Sequence, residues 1–256
     1  MPKIQEIYNI LNQIAPFGSA LPYDNAGLLV GDADRQVQKI GVCLDITAKA
    51  IDAAVTQGCD LIVSHHPVIF DPLKQISPVH PAYRLISENI AAICAHTNLD
   101  AASGGVNDCL CEALGLTGIR PLEDPDFPGY PPIGRIGTLP APMPAETLAF
   151  YCKQRLSAPD VRFSAASNSP VSTLAVCGGA GADLLLPAYA AGADALLTSE
   201  IKQHQWLQGQ ALQFTLLDAG HFSTENCIVP ALVKQLTAHF QIPVVMLAQT
   251  PPYQTI

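Results

Sequence analysis

The chain has 256 residues, 49% hydrophobic and 14% charged, which is enough apolar content for one large domain or two small ones and too much for a disordered chain. Thirteen Lys plus Arg against 22 Asp plus Glu leave a net charge of -9 with no basic run, so the charge disfavours duplex nucleic acid as a partner, since phosphate neutralisation dominates that affinity. No stretch approaches the roughly 18 consecutive apolar residues of a membrane-spanning helix, and the start MPKIQEIYNILNQIAPFG is not a basic-then-apolar leader; a cytoplasmic protein without a membrane partner is expected.

In chain order, Ile4, Ile7, Leu11 and Ile14 fall at helical spacing until Pro16 and Gly18 end the pattern. YDNAGLLVGD follows with turn residues at both ends, and IGVCLD is an apolar run of strand length. TAKAIDAAVTQGC reads as a helix closed by Gly58, and DLIVSHHP as a strand stopped at Pro67, which makes a β-α-β unit with parallel strands. AAICAHTNLD supplies another strand. The segment from Pro121 to Pro144 is dense in proline and reads as a connection with short extended pieces, Gly134-Arg135 being a turn.

The plan then repeats. LAVCGGAGADLLLPAYAAGADALLTSE, beginning at Leu174, follows IGVCLDITAKAIDAAVTQGCDLIVSHH, beginning at Ile40, so that Cys43, Gly58, Asp60 and Ser64 correspond to Cys177, Gly192, Asp194 and Thr198 at one constant offset. FTLLDAGHFSTE is the second counterpart of AAICAHTNLD. Two pseudo-symmetric halves, 1–122 and 123–256, forming one compact unit, are the simplest account. VPALVKQLTAHF as helix and IPVVML as strand close the chain, ahead of the tail QTPPYQTI.

The eight cysteines include no C-x-x-C pair and several lie inside apolar runs, so they read as reduced, buried hydrophobes. CGGAGAD lacks the Lys-Ser/Thr ending of a P-loop and reads as a strand-to-helix turn. Without a G-x-S-x-G elbow, Ser64 is a strand residue and not a nucleophile.

The residues that carry chemistry sit where strands end. His65 and His66 are adjacent, and alternation along a strand would bury one of them in apolar core unless the strand relaxes before Pro67 and both imidazoles line a crevice. His96 and Asp100 flank the end of the next strand, with Asp100 read as a ligand and Asn107 and Asp108 as caps of the following helix. His221 and Glu225, four residues apart, share one face of a helical turn. Imidazole with carboxylate suits zinc, manganese, iron, cobalt or nickel better than calcium. Three histidines and two carboxylates, His65, His66, Asp100, His221 and Glu225, exceed what one open zinc site needs, so two divalent ions are expected.

Taken together, YDNAGLLVGD, SHHPVIF, AHTNLDAASGGVND, LLTSEIKQHQ and DAGHFSTEN resemble the family of NGG-interacting-factor-three-like proteins, often labelled GTP cyclohydrolase I type 2 homologues, across nearly the whole chain. The resemblance implies an α/β fold, three-layer α/β/α with mixed sheets in two intertwined halves. It also implies a two-metal site on His65, His66, Asp100, His221 and Glu225 with Glu225 bridging, and a toroidal homohexamer whose sites face an internal cavity. The length matches the compact form without an inserted domain. Tyr23 stands where the family usually has Trp. Ser199-Glu200 and Gln203-His204 replace the usual residues of the later motif, so Glu200 and His204 read as surface-helix residues.

Two functions follow as expectations. The first is a metal-dependent hydrolase of a nucleotide or small phosphorylated or heterocyclic compound, with His96 as catalytic proton carrier or partner of a ligand; ring-opening of GTP is one version. The second is a non-enzymatic protein that binds or delivers metal, or a metal-stabilised scaffold for protein partners.

Overall fold

The computed structural model describes residues 1–166 and 169–255, which pack as two units: residues 1–103 with 228–250, and residues 104–227 with 251–255. No helix among the described residues is long and apolar enough to cross a membrane. Each unit is a mixed sheet flanked by helices, in agreement with the α/β expectation.

The first unit opens with α1 (Ile4–Ile14), which buries Ile4, Ile7 and Leu11, the residues that set its period. Glu6 accepts a hydrogen bond from the Lys3 amide at its start (2.7 Å), satisfying a donor that the first turn leaves without a helical partner. β1 (Gly27–Val30), β2 (Ile40–Cys43), α2 (Ala48–Gln57), β3 (Leu61–Ser64), α3 (Pro81–Ser87), β4 (Ala91–Cys94) and α4 (Thr97–Ala101) follow. The three inner strands of this series are buried at every residue, which is why they read as continuous apolar runs instead of alternating ones. Thr47 caps α2 through its hydroxyl, and Gly58 ends it at φ 68, a left-handed conformation that glycine adopts without cost.

The chain then enters the second unit with α5 (Val106–Ala113), β5 (Thr117–Leu122), β6 (Gly134–Met143), α6 (Ala145–Arg155), β7 (Arg162–Ser164), β8 (Val171–Val176), α7 (Leu185–Ala190), β9 (Ala195–Thr198), α8 (Gln203–Ala211), β10 (Thr215–Asp218) and α9 (His221–Glu225). It returns to the first unit for α10 (Ile228–His239) and β11 (Val244–Met246). The sheet of the first unit has the order β1-β4-β3-β2-β11, parallel except for β1. That of the second has the order β5-β6-β8-β9-β10-β7, with β8, β9 and β10 parallel and the outer strands antiparallel.

The repeat is visible hydrogen bond by hydrogen bond. Ile40 pairs with Leu61 as Leu174 pairs with Ala195. Asp60 accepts from the Gln38 and Lys39 amides, and its counterpart Asp194 accepts from those of Ser172 and Thr173. In each unit the third parallel strand carries an antiparallel neighbour, β1 on β4 and β7 on β10.

The packing units follow strand pairing and not chain order: β5 satisfies its backbone groups by pairing with β6, and β11 by pairing with β2, so residues 104–122 pack with the second unit and 228–250 with the first. One sequence expectation is corrected. Gly134-Arg135 is the start of a ten-residue strand and not a turn. Arg135 is buried there, its Nε donating to Asp108 at 2.6 Å and its Nη1 to the carbonyls of Pro132 and Gly134. Asp108 also accepts from the Gly104 amide, a helix-start contact as expected, whereas Asn107 is buried and accepts from the Gly178 amide.

Candidate metal centre

In the first unit the chemistry gathers at the carboxyl ends of β2, β3 and β4. His65 and His66 directly follow β3, where the alternation of the strand has ended, and their ring centroids lie 4.8 Å apart. His65 is fully buried and His66 half-buried. His96 leads into α4 after β4, its ring 5.2 Å from that of His65 and 5.6 Å from that of His66. One ligand atom from each of the three histidines lies within 4.8 Å of the others, a group able to hold a metal ion. Asp100, buried in the first turn of α4, places Oδ1 3.6 Å from His65 Nε2.

Every one of these imidazoles is held by its Nδ1. That of His65 donates to the Ala95 carbonyl (3.0 Å), that of His66 to Asp45 (2.7 Å) and that of His96 to Asp24 (2.8 Å). A carbonyl or carboxylate oxygen can only accept, so in the neutral ring the proton sits on Nδ1 and the lone pair on Nε2. Metal-binding histidines are oriented in this way, with the outer partner fixing the tautomer and raising ligand basicity. Asp24 is itself fixed by the amide and hydroxyl of Thr97. Burial alone would raise its pKa, but the bonds from His96 and Thr97 outweigh burial and hold it at about 2.

The second unit repeats the device at the ends of β8, β9 and β10. α9 puts His221 and Glu225 on one face as the spacing predicts, with His221 Nε2 3.1 Å from Glu225 Oε2. The Nδ1 of His221 donates to Glu200 at 2.7 Å. Glu200 has φ 56, a left-handed conformation costing a non-glycine residue of order 1 kcal/mol, in the turn between β9 and α8. Glu200 is exposed, as expected, but it precedes α8 instead of lying on a helix, and its carboxylate orients a candidate ligand. His204 is exposed on α8, as expected.

Glycines at the end of β8 make room for Glu225. A Cβ on Gly179, at φ 63, would stand 2.2 Å from Glu225 Oε1 and 3.0 Å from His221 Nε2. The loop is fixed by the Gly178 amide donating to Asn107, the Gly179 amide to Thr224, and the hydroxyls of Thr198 and Ser199 to the Gly179 carbonyl. CGGAGAD is therefore a turn whose glycines accommodate a carboxylate of the protein itself.

The donor set fits a divalent transition ion. Two ligands at about 2.0–2.2 Å around a tetrahedral ion lie roughly 3.3–3.5 Å apart, close to both the His65–Asp100 separation of 3.6 Å and the His221–Glu225 separation of 3.1 Å. At 3.6 Å the former is too long for a direct hydrogen bond. The family model of Duf34/NIF3 (NGG1p interacting factor 3) matches residues 2–252. The chain belongs to the NIF3 family. A "GTP cyclohydrolase 1 type 2 homolog" of Streptomyces coelicolor is 35% identical over 234 residues, 88% of this chain and 82% of that protein. One from Campylobacter jejuni is 30% identical over 98% of this chain and 99% of its own. Among solved structures, a Staphylococcus aureus hypothetical protein superimposes with a TM-score of 0.90 at 27% identity over 99% of both chains. The reduced form of HcgD from Methanocaldococcus jannaschii does so with a TM-score of 0.82 at 27% identity, covering 97% of this chain and 98% of that one.

Asp24, Asp45, Glu200 and Gly179 were not among the sequence-derived site residues. Asp45 and Glu200 each sit two residues beyond a strand end, at the carboxyl end of the sheet of their own unit, where the histidines also lie, and that position was the available signal.

Proposed function

We propose that His65, His66, Asp100, His221 and Glu225 hold two divalent metal ions, and that the protein is a metal-dependent hydrolase of a nucleotide or small phosphorylated or heterocyclic compound, as the cyclohydrolase label of its relatives suggests. The observation that carries the reading is that four histidines in two units each have Nδ1 bonded to an oxygen acceptor, which leaves Nε2 as the donor atom in each neutral ring.

Ions held by these residues would supply Lewis-acid polarisation of the substrate and activation of water near neutral pH. The roles of the chain's own groups follow from their contacts. Ala95, Asp45 and Glu200 keep His65, His66 and His221 in one tautomer and one orientation. Asp24, ionised throughout the physiological range, holds a proton on His96 Nδ1 and so leaves His96 Nε2 to accept one, the property a proton carrier requires. Buried Asp100 and Glu225 add negative charge that balances divalent cations. Assembly as a homohexamer belongs to the same reading.

The test is turnover. Protein loaded in turn with zinc, manganese, iron, cobalt or nickel is screened for phosphate or formate release from nucleotides, beside Glu225→Ala. Release that requires metal and disappears in the variant supports the hydrolase. Bound metal without product formation from any substrate favours a metal-binding or delivery protein.

A further inference from the structure

Beside the histidines of the first unit stands an aromatic pair that the metal reading does not use. Tyr23 is 55% and Phe70 45% exposed, with ring centroids 6.5 Å apart and an interplanar angle of 51°. Exposed apolar side chains scattered singly are ordinary. This pair differs because Phe70 meets the His96 ring edge to face, at 6.2 Å and 86°. Phe70 thus meets the cluster of His65, His66 and His96 directly, with Tyr23 one ring further out.

The backbone under both rings is anchored. Asp24, next to Tyr23, accepts from His96 Nδ1 and from Thr97. Asn25 donates through Nδ2 to the carbonyl of Ile69, the residue before Phe70, at 2.7 Å. The same tripeptide, Tyr23-Asp24-Asn25, therefore orients a candidate catalytic imidazole and ties the two ring-bearing segments together. These ties fix the backbone from which both side chains project, so less ordering is needed on binding.

We propose that Tyr23 and Phe70 form a stacking subsite for the planar heteroaromatic ring of a nucleotide, placing the rest of that molecule toward the histidines. The subsite rests on the functional reading above and narrows its substrate class. Aromatic faces suit this ligand because every nucleobase presents a π-face, and stacking does not depend on the hydrogen-bond pattern of a particular base.

The experiment is calorimetric titration of the metal-loaded full chain with GTP, ATP and UTP, each against inorganic tripolyphosphate, which has the phosphates and no ring. Wild type is expected to bind the nucleotides more tightly than tripolyphosphate. Tyr23→Ala and Phe70→Ala are expected to lose about 5- to 150-fold in nucleotide affinity, the range for one stacked base, with tripolyphosphate affinity and metal content unchanged, and Tyr23→Trp to restore nucleotide binding. Equal affinity of wild type for nucleotides and tripolyphosphate, or an equal fall for both in the alanine variants, overturns the subsite. The two readings separate cleanly: ring-dependent binding without turnover removes the hydrolase and keeps the subsite, whereas nucleotide turnover with KM unchanged in the alanine variants does the reverse.

Discussion

Asp45 offers a clean perturbation of the metal site, because its carboxylate touches His66 and is 40% exposed. Its Oδ1 accepts from His66 Nδ1 at 2.7 Å, a charge-assisted bond that keeps the ring oriented with Nε2 as donor. Removing such an outer partner typically costs 10- to 100-fold in metal affinity, or about 1.4–2.7 kcal/mol. Exposure places Asp45→Asn toward the lower end, about tenfold, because the amide oxygen can still accept the Nδ1 proton while the charge is lost. Asp45→Ala, which frees the ring to turn, is expected near the upper end. Titration of metal-free protein against a chelator of known affinity measures both, and thermal unfolding of the same metal-free samples checks the fold. That transition is expected to move little, because a half-exposed pair contributes about 1 kcal/mol or less to stability. Wild-type metal affinity in both variants refutes the argument that Nδ1 anchoring prepares His66 as a ligand.

Three further outcomes are expected. Gly179→Ala forces a methyl group against Glu225 at a left-handed φ and should abolish metal binding; Gly58→Ala, at φ 68 with nothing within 4 Å of the new Cβ, should cost about 1 kcal/mol in urea unfolding and leave metal content intact. In metal-free protein Asp24 is held at about 2, below its ordinary 3.8, so it stabilises the fold above pH 4 and that contribution, at most about 2 kcal/mol, is lost as pH falls from about 4 to 2; Asp24→Asn should flatten this part of the urea-derived stability curve. Burial pushes the thiols of Cys109 to about 11 and of Cys111 and Cys152 to about 12, so iodoacetamide at pH 8, followed by mass spectrometry, should leave them unmodified until the protein is unfolded.

Much of the fold was legible because its elements obey local rules. The period of Ile4, Ile7 and Leu11 gave α1, and the continuous apolar runs gave the inner parallel strands, since strands buried on both faces need no alternation. The offset joining Cys43 to Cys177 and Asp60 to Asp194 carried over into matching strand registers. The packing boundary was not legible, because β5 and β11 are assigned by the strands they pair with, which lie far from them in sequence or across a proline-rich segment. Arg135 was missed for a related reason: its partner Asp108 is distant in sequence, and a Gly-Arg pair among prolines carries the local signature of a turn.

At the candidate site the donors were legible and their supports were not. His65-His66 and the His221–Glu225 spacing stand out because strands and helices fix where such side chains point. Asp24, Asp45 and Glu200 act through single hydrogen bonds to residues 21 to 72 positions away, for which no periodicity exists. CGGAGAD was read as a strand-to-helix turn, whereas the importance of its Gly179 lies in the side chain of Glu225 that it leaves room for.

The central claim, that His65, His66, Asp100, His221 and Glu225 hold divalent metal ions, is tested most directly by elemental analysis of wild type beside His66→Ala and Glu225→Ala, with folding confirmed by circular dichroism. The account predicts about two metal ions per wild-type chain and a loss of metal in both variants. Full metal content in either folded variant would contradict it.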